Sequence, residues 1–374
     1  MELRLDCRFF KGDKPCVHKC ACRGCSHYTP MGKRILIIKL DAIGDVARTT
    51  CILRPLRARH DPAFLSWLVH PLAEGLLTGN PLVDRVLPYK PESLEALRVQ
   101  SFDLLLSLDK TPRAAGVAMS VNAAEKRGFG LSPFGTVYPI NPECDYAFQL
   151  GIDDDLKFHR NQRTYQDVIF ECVGLPWNRE EYCIEISPRD REFAERFLVA
   201  NGIARQDAIV GLNLGGGSAF AHKMWSVQGL RRFLIRLLNQ VECKVALFGA
   251  ERERPVIEEI MRTRLPRVFR TGTDNTLSQF QALLARCDAV VTGDSLGMHL
   301  AIAEKRPVVA LFGPTCAQEI ELYDRGDRIV SPLPCAPCYR PHCERNVSCM
   351  DAIEPPPVID AVKKWLQKAG KLRT

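Results

Sequence analysis

A carboxylate lies at the start of a predicted helix, within the segment KLDAIGDV at positions 39–46. The apolar run before it, residues 34–40, has the length and the β-branched content of a strand, and Gly44 permits a tight turn. The dipole and the unpaired N–H groups of a helix start favour an ionised Asp45, which could take a proton from a hydroxyl group. The alternative is that Asp45 only stabilises the beginning of the helix.

A glycine-rich turn, NLGGGS at positions 213–218, follows a second predicted strand. The backbone N–H groups of Gly215, Gly216 and Ser218, together with the ammonium of Lys223, could hold a diphosphate. The alternative is a flexible surface turn. The chain has neither a Walker A motif nor a GxGxxG after its first strand, which argues against a P-loop NTPase and an ordinary dehydrogenase.

The most specific pattern is VTGDSLGMH at positions 291–299, where a predicted strand ends and a helix begins. Asp294, Ser295, Gly297 and His299 cluster at that helix start, which offers a site for an anion. Asp294 could also accept hydrogen bonds from ligand hydroxyls. A single histidine at a helix start is more often structural, but its neighbours here favour a binding site.

Two sets of cysteines lie outside these segments. The N-terminal set has His18, Cys20 and His27 nearby and consists of Cys7, Cys16, Cys22 and Cys25. The C-terminal set consists of Cys335, Cys338, Cys343 and Cys349. Four thiolates that include a CxxC pair suit tetrahedral zinc, and iron or an iron–sulfur cluster uses the same ligands. We expect a structural metal in each set, the alternative being reduced free thiols.

Strands and helices alternate along most of the 374 residues, which predicts an α/β protein with parallel sheets. We expect two Rossmann-like domains with a cleft between them, and a ligand at the carboxyl ends of the strands. The expected boundaries are a Cys-rich N-terminal extension at 1–30, a first domain at 31–187 and a second at 188–350, which includes the Cys-rich segment 335–349. A final helix within 351–374 is expected to pack back toward the N-terminal domain.

The composition and net charge of the chain exclude some kinds of protein and partner. No signal peptide and no apolar run of roughly 18 residues is present, so we expect a cytoplasmic protein that could associate with a membrane surface. Lysine and arginine number 51 against 44 acidic residues, a net charge of +7 that suits an anionic ligand or an anionic membrane. The charges form no run or stripe, so nucleic acid is not an expected partner; a zinc-bearing nucleic-acid-binding protein is the alternative class.

Several of these segments resemble glycosyltransferase family 9, the heptosyltransferases that use ADP-heptose. The resemblance runs nearly end to end; besides the three motifs, it includes DKTPRAAGVAMSVNAAEKRGFG, RTYQDVIFECVGLP and the Cys-rich tail. It implies the GT-B fold, an ADP-heptose donor, inversion at the anomeric carbon and no catalytic metal. The implied acceptor is a lipopolysaccharide-core glycolipid at the inner membrane surface; a protein acceptor is the alternative.

The resemblance also implies roles for single residues. Asp45 matches the catalytic base and Lys223 the lysine near the donor phosphates, while the segment from Asp294 to His299 matches the donor-binding loop. A glutamate that contacts the ribose corresponds to Glu251 or Glu253. On the acceptor side we expect Gly44, Asp41, Lys110 and Arg113; similar sequences usually have glycine at position 41, so Asp41 could alter acceptor choice.

Overall fold

The structure is a computed structural model and describes residues 2–216 and 223–372. The strands are β1 Lys33–Ile38, β2 Ala63–Val69, β3 Arg85–Pro88, β4 Ser101–Ser107, β5 Asn122–Leu131, β6 Val137–Pro139, β7 Ile209–Asn213, β8 Lys244–Phe248, β9 Val268–Arg270, β10 Ala289–Gly293, β11 Val308–Phe312 and β12 Gly326–Val330. The helices are α1 Ile43–Thr49, α2 Leu53–Arg59, α3 Glu74–Leu77, α4 Pro91–Val99, α5 Pro112–Ser120, α6 Asp145–Gln149, α7 Tyr165–Cys172, α8 Pro188–Ala200, α9 Val227–Gln240, α10 Arg254–Arg262, α11 Leu277–Leu284, α12 Leu296–Ala303 and α13 Pro355–Lys368.

The first sheet has the strand order β3-β2-β1-β4-β5-β6, in which β6 pairs antiparallel with β5 and the other pairs are parallel. The run of apolar residues in β1 is buried on both faces, as parallel strands covered by helices require. Ala114 and Ala118 of α5 pack in a core with Leu36 and Leu105. The order reverses between β1 and β4, which makes their carboxyl ends the expected place for a ligand.

The second sheet has the order β12-β11-β10-β7-β8-β9, and all of its pairs are parallel. Its reversal point lies between β7 and β10. Leu230, Phe233 and Leu237 form the buried stripe of α9 and cover the sheet. Both sheets have the doubly wound order, so the predicted α/β class with two Rossmann-like halves is confirmed.

Contacts divide the chain into two compact units that interleave in sequence. One unit holds the residues up to Asp41, Cys51–Phe148 and Ile169–Trp177; the other holds Ala42–Thr50, Gln149–Val168 and the residues from Asn178 onward. This partition differs from the predicted boundary at residue 187. The reason is that α1 packs against α12, a long-range contact that composition and periodicity do not reveal.

The final helix, α13, lies in the second unit. Val358, Val362 and Trp365 are buried in the same core as α9, and the Trp365 indole Nε1 donates to Asp327 at 2.6 Å. The expectation that this helix packs toward the N-terminal domain stays a prediction, while its buried face lies in the core of the second unit. The amphipathic spacing was right, but spacing alone does not identify the surface that an apolar face covers. None of the helices in the described ranges has the length and hydropathy of a membrane span.

Candidate functional site

The candidate site of the second unit lies at the reversal point of its sheet, where β7 and β10 end side by side. Asn213, the last residue of β7, donates from Nδ2 to Thr292 Oγ1 at 3.0 Å and to Ser295 Oγ at 2.9 Å. Gly297 allows this junction, because a Cβ built there would lie 2.6 Å from the Asn213 side chain. The predicted residues Ser295 and Gly297 therefore fix the start of α12 to the end of β7.

A lysine and a carboxylate meet at this junction. Lys223 Nζ lies 3.3 Å from Asp294 Oδ2, and both side chains are largely buried. Burial by itself would raise the pKa of the Asp294 carboxyl, but the nearby charges of Lys223 and Arg48 hold that pKa below its usual value. Asp294 is therefore an anion that can accept hydrogen bonds from ligand hydroxyls at neutral pH.

His299 is buried on α12, and its Nδ1 lies 3.1 Å from the hydroxyl of Tyr182. Burial, together with the charge of Arg48, lowers its pKa to about 4. The imidazole is therefore neutral at physiological pH. In that state it can exchange one hydrogen bond with Tyr182 and present its other nitrogen to a neighbour.

Helix α1 brings the predicted base into this unit. Gly44 lets the helix approach α12 closely, because a Cβ built on Gly44 would lie 2.7 Å from His299 Cδ2. Asp45, in the first turn, pairs with Arg48 at 2.9 Å, and the Arg48 guanidinium lies 3.7 Å from the ring centroid of Tyr165. The α1–α12 contact thus places Asp45 and His299 on neighbouring helices of one unit.

A second carboxyl group belongs to the same electrostatic neighbourhood. Glu319 lies in a short helical turn after β11, the strand next to β10. Burial raises the pKa of its carboxyl, against the influence of Arg48 and Lys157. A perturbed carboxyl at the carboxyl edge of a parallel sheet is a frequent feature of functional sites.

The two candidate ribose ligands have different surroundings. Glu253 Oε2 accepts from the backbone N–H of Ala250 at 3.0 Å and would lie 4.0 Å from a Cβ on Gly215. Glu251 is 69% exposed and pairs with Arg254 at 2.5 Å. The glycine turn thus lies beside Glu253. Gly216 is half-buried, and Ser218 falls outside the described residues.

The acceptor-side residues of the first unit lie at the reversal point of its own sheet. Asp109, after β4, pairs with Lys39 and accepts from the backbone N–H of Leu40. Asp41 pairs with Arg113, so these two predicted residues are in contact. Lys110 donates to the Ala147 carbonyl oxygen at 2.7 Å. Gly44, by contrast, belongs to the second unit.

The N-terminal cysteines surround one small pocket. Its lining includes Cys7, Cys16, Cys20, Cys22 and Cys25, with His18 and His27. The Sγ atoms of Cys20 and Cys25 lie 3.3 Å apart, and the two imidazole rings stack at 4.0 Å. These donors are chemically suited to zinc or iron. Their positions stop short of coordination, however, since no three histidine, cysteine or acidic side chains in the described ranges converge as a formed metal site.

The C-terminal cysteine segment rests on the loop that follows β11. A Cβ built on Gly313 would lie 2.5 Å from Cys349 Sγ, and the N–H of Cys338 donates to the Pro314 carbonyl oxygen at 3.2 Å. Tyr339 stacks on Phe158, with ring centroids 5.5 Å apart. The segment that carries Cys335, Cys338, Cys343 and Cys349 therefore borders the loop that leads to Glu319.

Sequence reasoning missed Arg48, Tyr165, Glu319 and Tyr182. Arg48 had a usable signal, because an arginine three residues after an aspartate faces it on a helix. Tyr165 lies in the segment RTYQDVIFECVGLP of the family resemblance, although no role was assigned to it, and Glu319 had no signal, since tertiary packing alone brings these distant segments together.

Comparisons with known proteins identify the family of the chain. The family model described as glycosyltransferase family 9 (heptosyltransferase) matches residues 93–347. The lipopolysaccharide core heptosyltransferase OpsX of Haemophilus influenzae is 23% identical over 81% of this chain and 86% of its own length.

Solved structures share the fold. A glycosyl transferase family 9 protein from Veillonella parvula has a TM-score of 0.72 at 20% identity, over 90% of this chain and 98% of its own. The E. coli ADP-heptose lps heptosyltransferase II has a TM-score of 0.66 at 19% identity, over 90% and 99%. The iron-containing heptosyltransferase TibC, solved with ADP-D-beta-D-heptose, has a TM-score of 0.56 at 13% identity, over 92% and 80%.

These likenesses confirm the predicted GT-B fold class, and the family model spans more than half of the chain. The chain is a glycosyltransferase and belongs to glycosyltransferase family 9, the heptosyltransferase family.

Proposed function

We propose that this chain transfers heptose from ADP-heptose to a lipopolysaccharide-core acceptor, with inversion at the anomeric carbon. The observation that carries the proposal is the grouping of Asp45, Lys223, Asp294 and His299 within one compact unit, at the point where its parallel sheet reverses order. The activities named for its family relatives, OpsX and the E. coli enzyme, support the choice of donor and acceptor.

In the proposed mechanism, the donor diphosphate binds between Lys223, the glycine turn and the N-terminus of α12. Backbone N–H groups and an ammonium are fixed donors for the negative charge that develops on the leaving ADP. Asp294 accepts hydrogen bonds from donor hydroxyls. The imidazole of His299 is neutral, so it contributes a polar contact but no positive charge for the phosphates. We assign the ribose contact to Glu253 because it adjoins Gly215.

Asp45 acts as the general base. The acceptor hydroxyl oxygen attacks the anomeric carbon while the bond from that carbon to the diphosphate oxygen breaks. The hydroxyl proton moves to the Asp45 carboxylate, and ADP leaves with the electron pair. Asp41, Lys110 and Arg113 are the proposed acceptor-side residues; an anionic core acceptor suits the two cations.

A donor screen tests the proposal. Purified protein is incubated with a delipidated core acceptor and with ADP-heptose, UDP-sugars or GDP-sugars in turn, and the released nucleotide is measured. We expect release of ADP from ADP-heptose, dependent on the acceptor. Turnover of a UDP- or GDP-sugar without turnover of ADP-heptose would overturn the donor assignment. A polypeptide acceptor in a parallel reaction distinguishes the protein-directed alternative.

We also propose that zinc or iron, acting structurally, binds each cysteine set. The clustering of five thiols and two imidazoles around one N-terminal pocket supports this, and so does the distant similarity to TibC, an iron-containing heptosyltransferase. Elemental analysis of protein purified without added metal is the test, with Cys16→Ser and Cys338→Ser to separate the two sets. About one metal per set is expected, and each variant should lose one; a metal-free, fully folded protein would overturn the proposal.

The place of action is proposed to be the cytoplasmic face of the inner membrane. The net charge of +7 suits an anionic lipid surface. Co-sedimentation with phosphatidylglycerol vesicles should then fall as salt rises, and equal retention on neutral vesicles would contradict an electrostatic attachment.

A further inference from the structure

Arg48 is a buried cation, and its contacts indicate one function for it. Its side chain is 12% exposed, and its Nη2 lies 2.9 Å from Asp45 Oδ1. Its Nε has no hydrogen-bond partner within the described ranges. A buried guanidinium is costly unless a carboxylate compensates it. The contact with Asp45 is therefore the main compensation that the described residues offer Arg48.

Tyr165 holds the guanidinium from the other side. The Arg48 guanidinium carbon lies 3.7 Å from the ring centroid of Tyr165, a cation–π distance. The Tyr165 hydroxyl in turn bonds to Thr49 Oγ1 at 2.7 Å, and Thr49 Oγ1 donates to the Asp45 carbonyl oxygen at 2.6 Å. The arginine plane is thus held between a ring anchored to α1 and a carboxylate of α1.

Other charged and titratable groups surround this pair. On the facing elements these groups are Tyr182, Lys223, Asp294, His299 and Glu319, with Lys157 close to Glu319. Burial raises the pKa of Glu319, and the charge of Arg48 opposes that rise. Any pH dependence assigned to Asp45 must therefore be separated from that of Glu319.

We propose that Arg48 is a positioning residue for the glycosyl-transfer reaction. It holds the Asp45 carboxylate by Oδ1, fixes its direction on α1 and keeps it ionised, so that Asp45 is ready to accept a proton. This inference rests on the proposed role of Asp45 as the base. A residue that acts in this way changes the pH dependence of turnover and kcat rather than the affinity for the donor.

The kinetic test compares Arg48→Met, Arg48→Lys and the control Arg54→Met, which removes an exposed arginine from α2. In Arg48→Met the acid limb of kcat should move up by about 1–3 pH units, because an adjacent cation favours the ionised carboxylate. Its kcat at neutral pH should fall on the order of 10²-fold through misplacement of the base. The donor Kd should stay within threefold. Arg48→Lys keeps the charge but loses the planar contact. Its acid limb should therefore lie at nearly the same pH as in wild type, while its kcat at neutral pH should be only partly restored.

Glu319→Gln identifies the group that produces the limb. If Asp45 titrates, the shift caused by Arg48→Met persists in the Glu319→Gln background. Loss of the shift in that background would overturn the assignment, as would an unmoved limb in Arg48→Met or an equal effect of Arg54→Met. If Arg48→Met fails to fold, Arg48→Lys must still lower kcat while its limb stays within half a pH unit of wild type.

A readout that needs no turnover separates this inference from the donor assignment. Carboxyl ¹³C NMR of aspartate-labelled protein, with the Asp45 signal identified by its absence in Asp45→Asn, follows the titration of that side chain directly. The midpoint should rise in Arg48→Met and remain near wild type in Arg54→Met. An unchanged midpoint in Arg48→Met would overturn the role of Arg48 even if ADP-heptose proves to be the donor. A raised midpoint without ADP-heptose turnover would support the role of Arg48 and refute only the proposed donor.

Discussion

The Lys223 ammonium and the Asp294 carboxylate lie 3.3 Å apart, with side-chain exposures of 14% and 19%. Lys223 follows the glycine-rich segment 213–218 in the sequence, and Asp294 follows β10, so the pair joins two segments of the second unit. Gly293 makes the approach possible, because a Cβ at that position would overlap the Lys223 carbonyl oxygen. The pair thus places Lys223, the proposed contact for the donor phosphates, beside Asp294, the proposed contact for the donor hydroxyls.

Lys223→Ala should weaken ADP binding. A charge-assisted hydrogen bond is worth about 1.5–3 kcal/mol, so the Kd measured by calorimetry should rise roughly 10–100-fold. The pKa of Asp294 should also rise, because Lys223 helps to hold it down. Lys305→Ala is the matched control: that lysine is 65% exposed and pairs with Glu181. Equal ADP affinity in the two variants would remove Lys223 from the donor site.

The two glutamates near the glycine turn should respond differently to the same substitution. Glu253→Gln keeps an oxygen that can accept from the Ala250 N–H, so the local turn should survive. It removes the charge beside Gly215, and the Kd for ADP should rise roughly tenfold. Glu251→Gln, at an exposed side chain paired with Arg254, should leave that Kd within twofold. The reverse ranking would assign the ribose contact to Glu251.

His299 should make the free energy of unfolding depend on pH. Its pKa in the folded chain is about 4, below the ordinary value of 6.5. The unfolded chain therefore takes up the proton first, and folding loses free energy as the pH falls from about 6.5 toward 4. The loss attributable to this group is at most about 3.4 kcal/mol. Denaturant unfolding at several pH values measures it.

His299→Asn should lack that part of the pH dependence, although Asp294, Asp45, Arg48 and Lys223 remain around the position. His342→Asn, at an exposed position of the cysteine segment, is the control and should follow wild type. Parallel curves for wild type and His299→Asn would show that His299 titrates normally in the folded chain.

The sequence predicted the interior of each sheet better than its edges. The apolar run at 34–40 identified β1, and the strands expected before the glycine-rich turn and before Asp294 are β7 and β10, because strands buried on both faces need such runs. The edge strands β3, β9 and β12 are short and partly exposed, so no run marked them. Local sequence patterns therefore reveal strands that are buried on both faces and miss strands that are partly exposed.

The candidate site shows the same limit. Asp294, Ser295 and Gly297 were visible because a strand end and a helix start are local events. The environment of Asp45 was not visible, since Tyr165 and Glu319 reach it from more than a hundred residues away along the chain. The C-terminal cysteines lie outside the three motifs in the sequence, yet Cys349 packs on Gly313 in the loop that leads to Glu319. Packing between distant segments, rather than residue type, decides these relationships.

The most direct measurement of the proposed mechanism is the turnover of Asp45→Asn with ADP-heptose and a core acceptor. Asparagine is nearly isosteric and is compatible with a helix start, but it removes the charge that compensates the buried Arg48, so the melting temperature should fall and turnover is compared in protein shown to be folded. Loss of a general base should lower kcat about 10²–10⁴-fold, while the Kd for ADP remains within threefold. Asp324→Asn, at a side chain that is 84% exposed and pairs with Arg179, is the control and should retain near-normal turnover. Turnover of folded Asp45→Asn within threefold of wild type would contradict the assignment of Asp45 as the base.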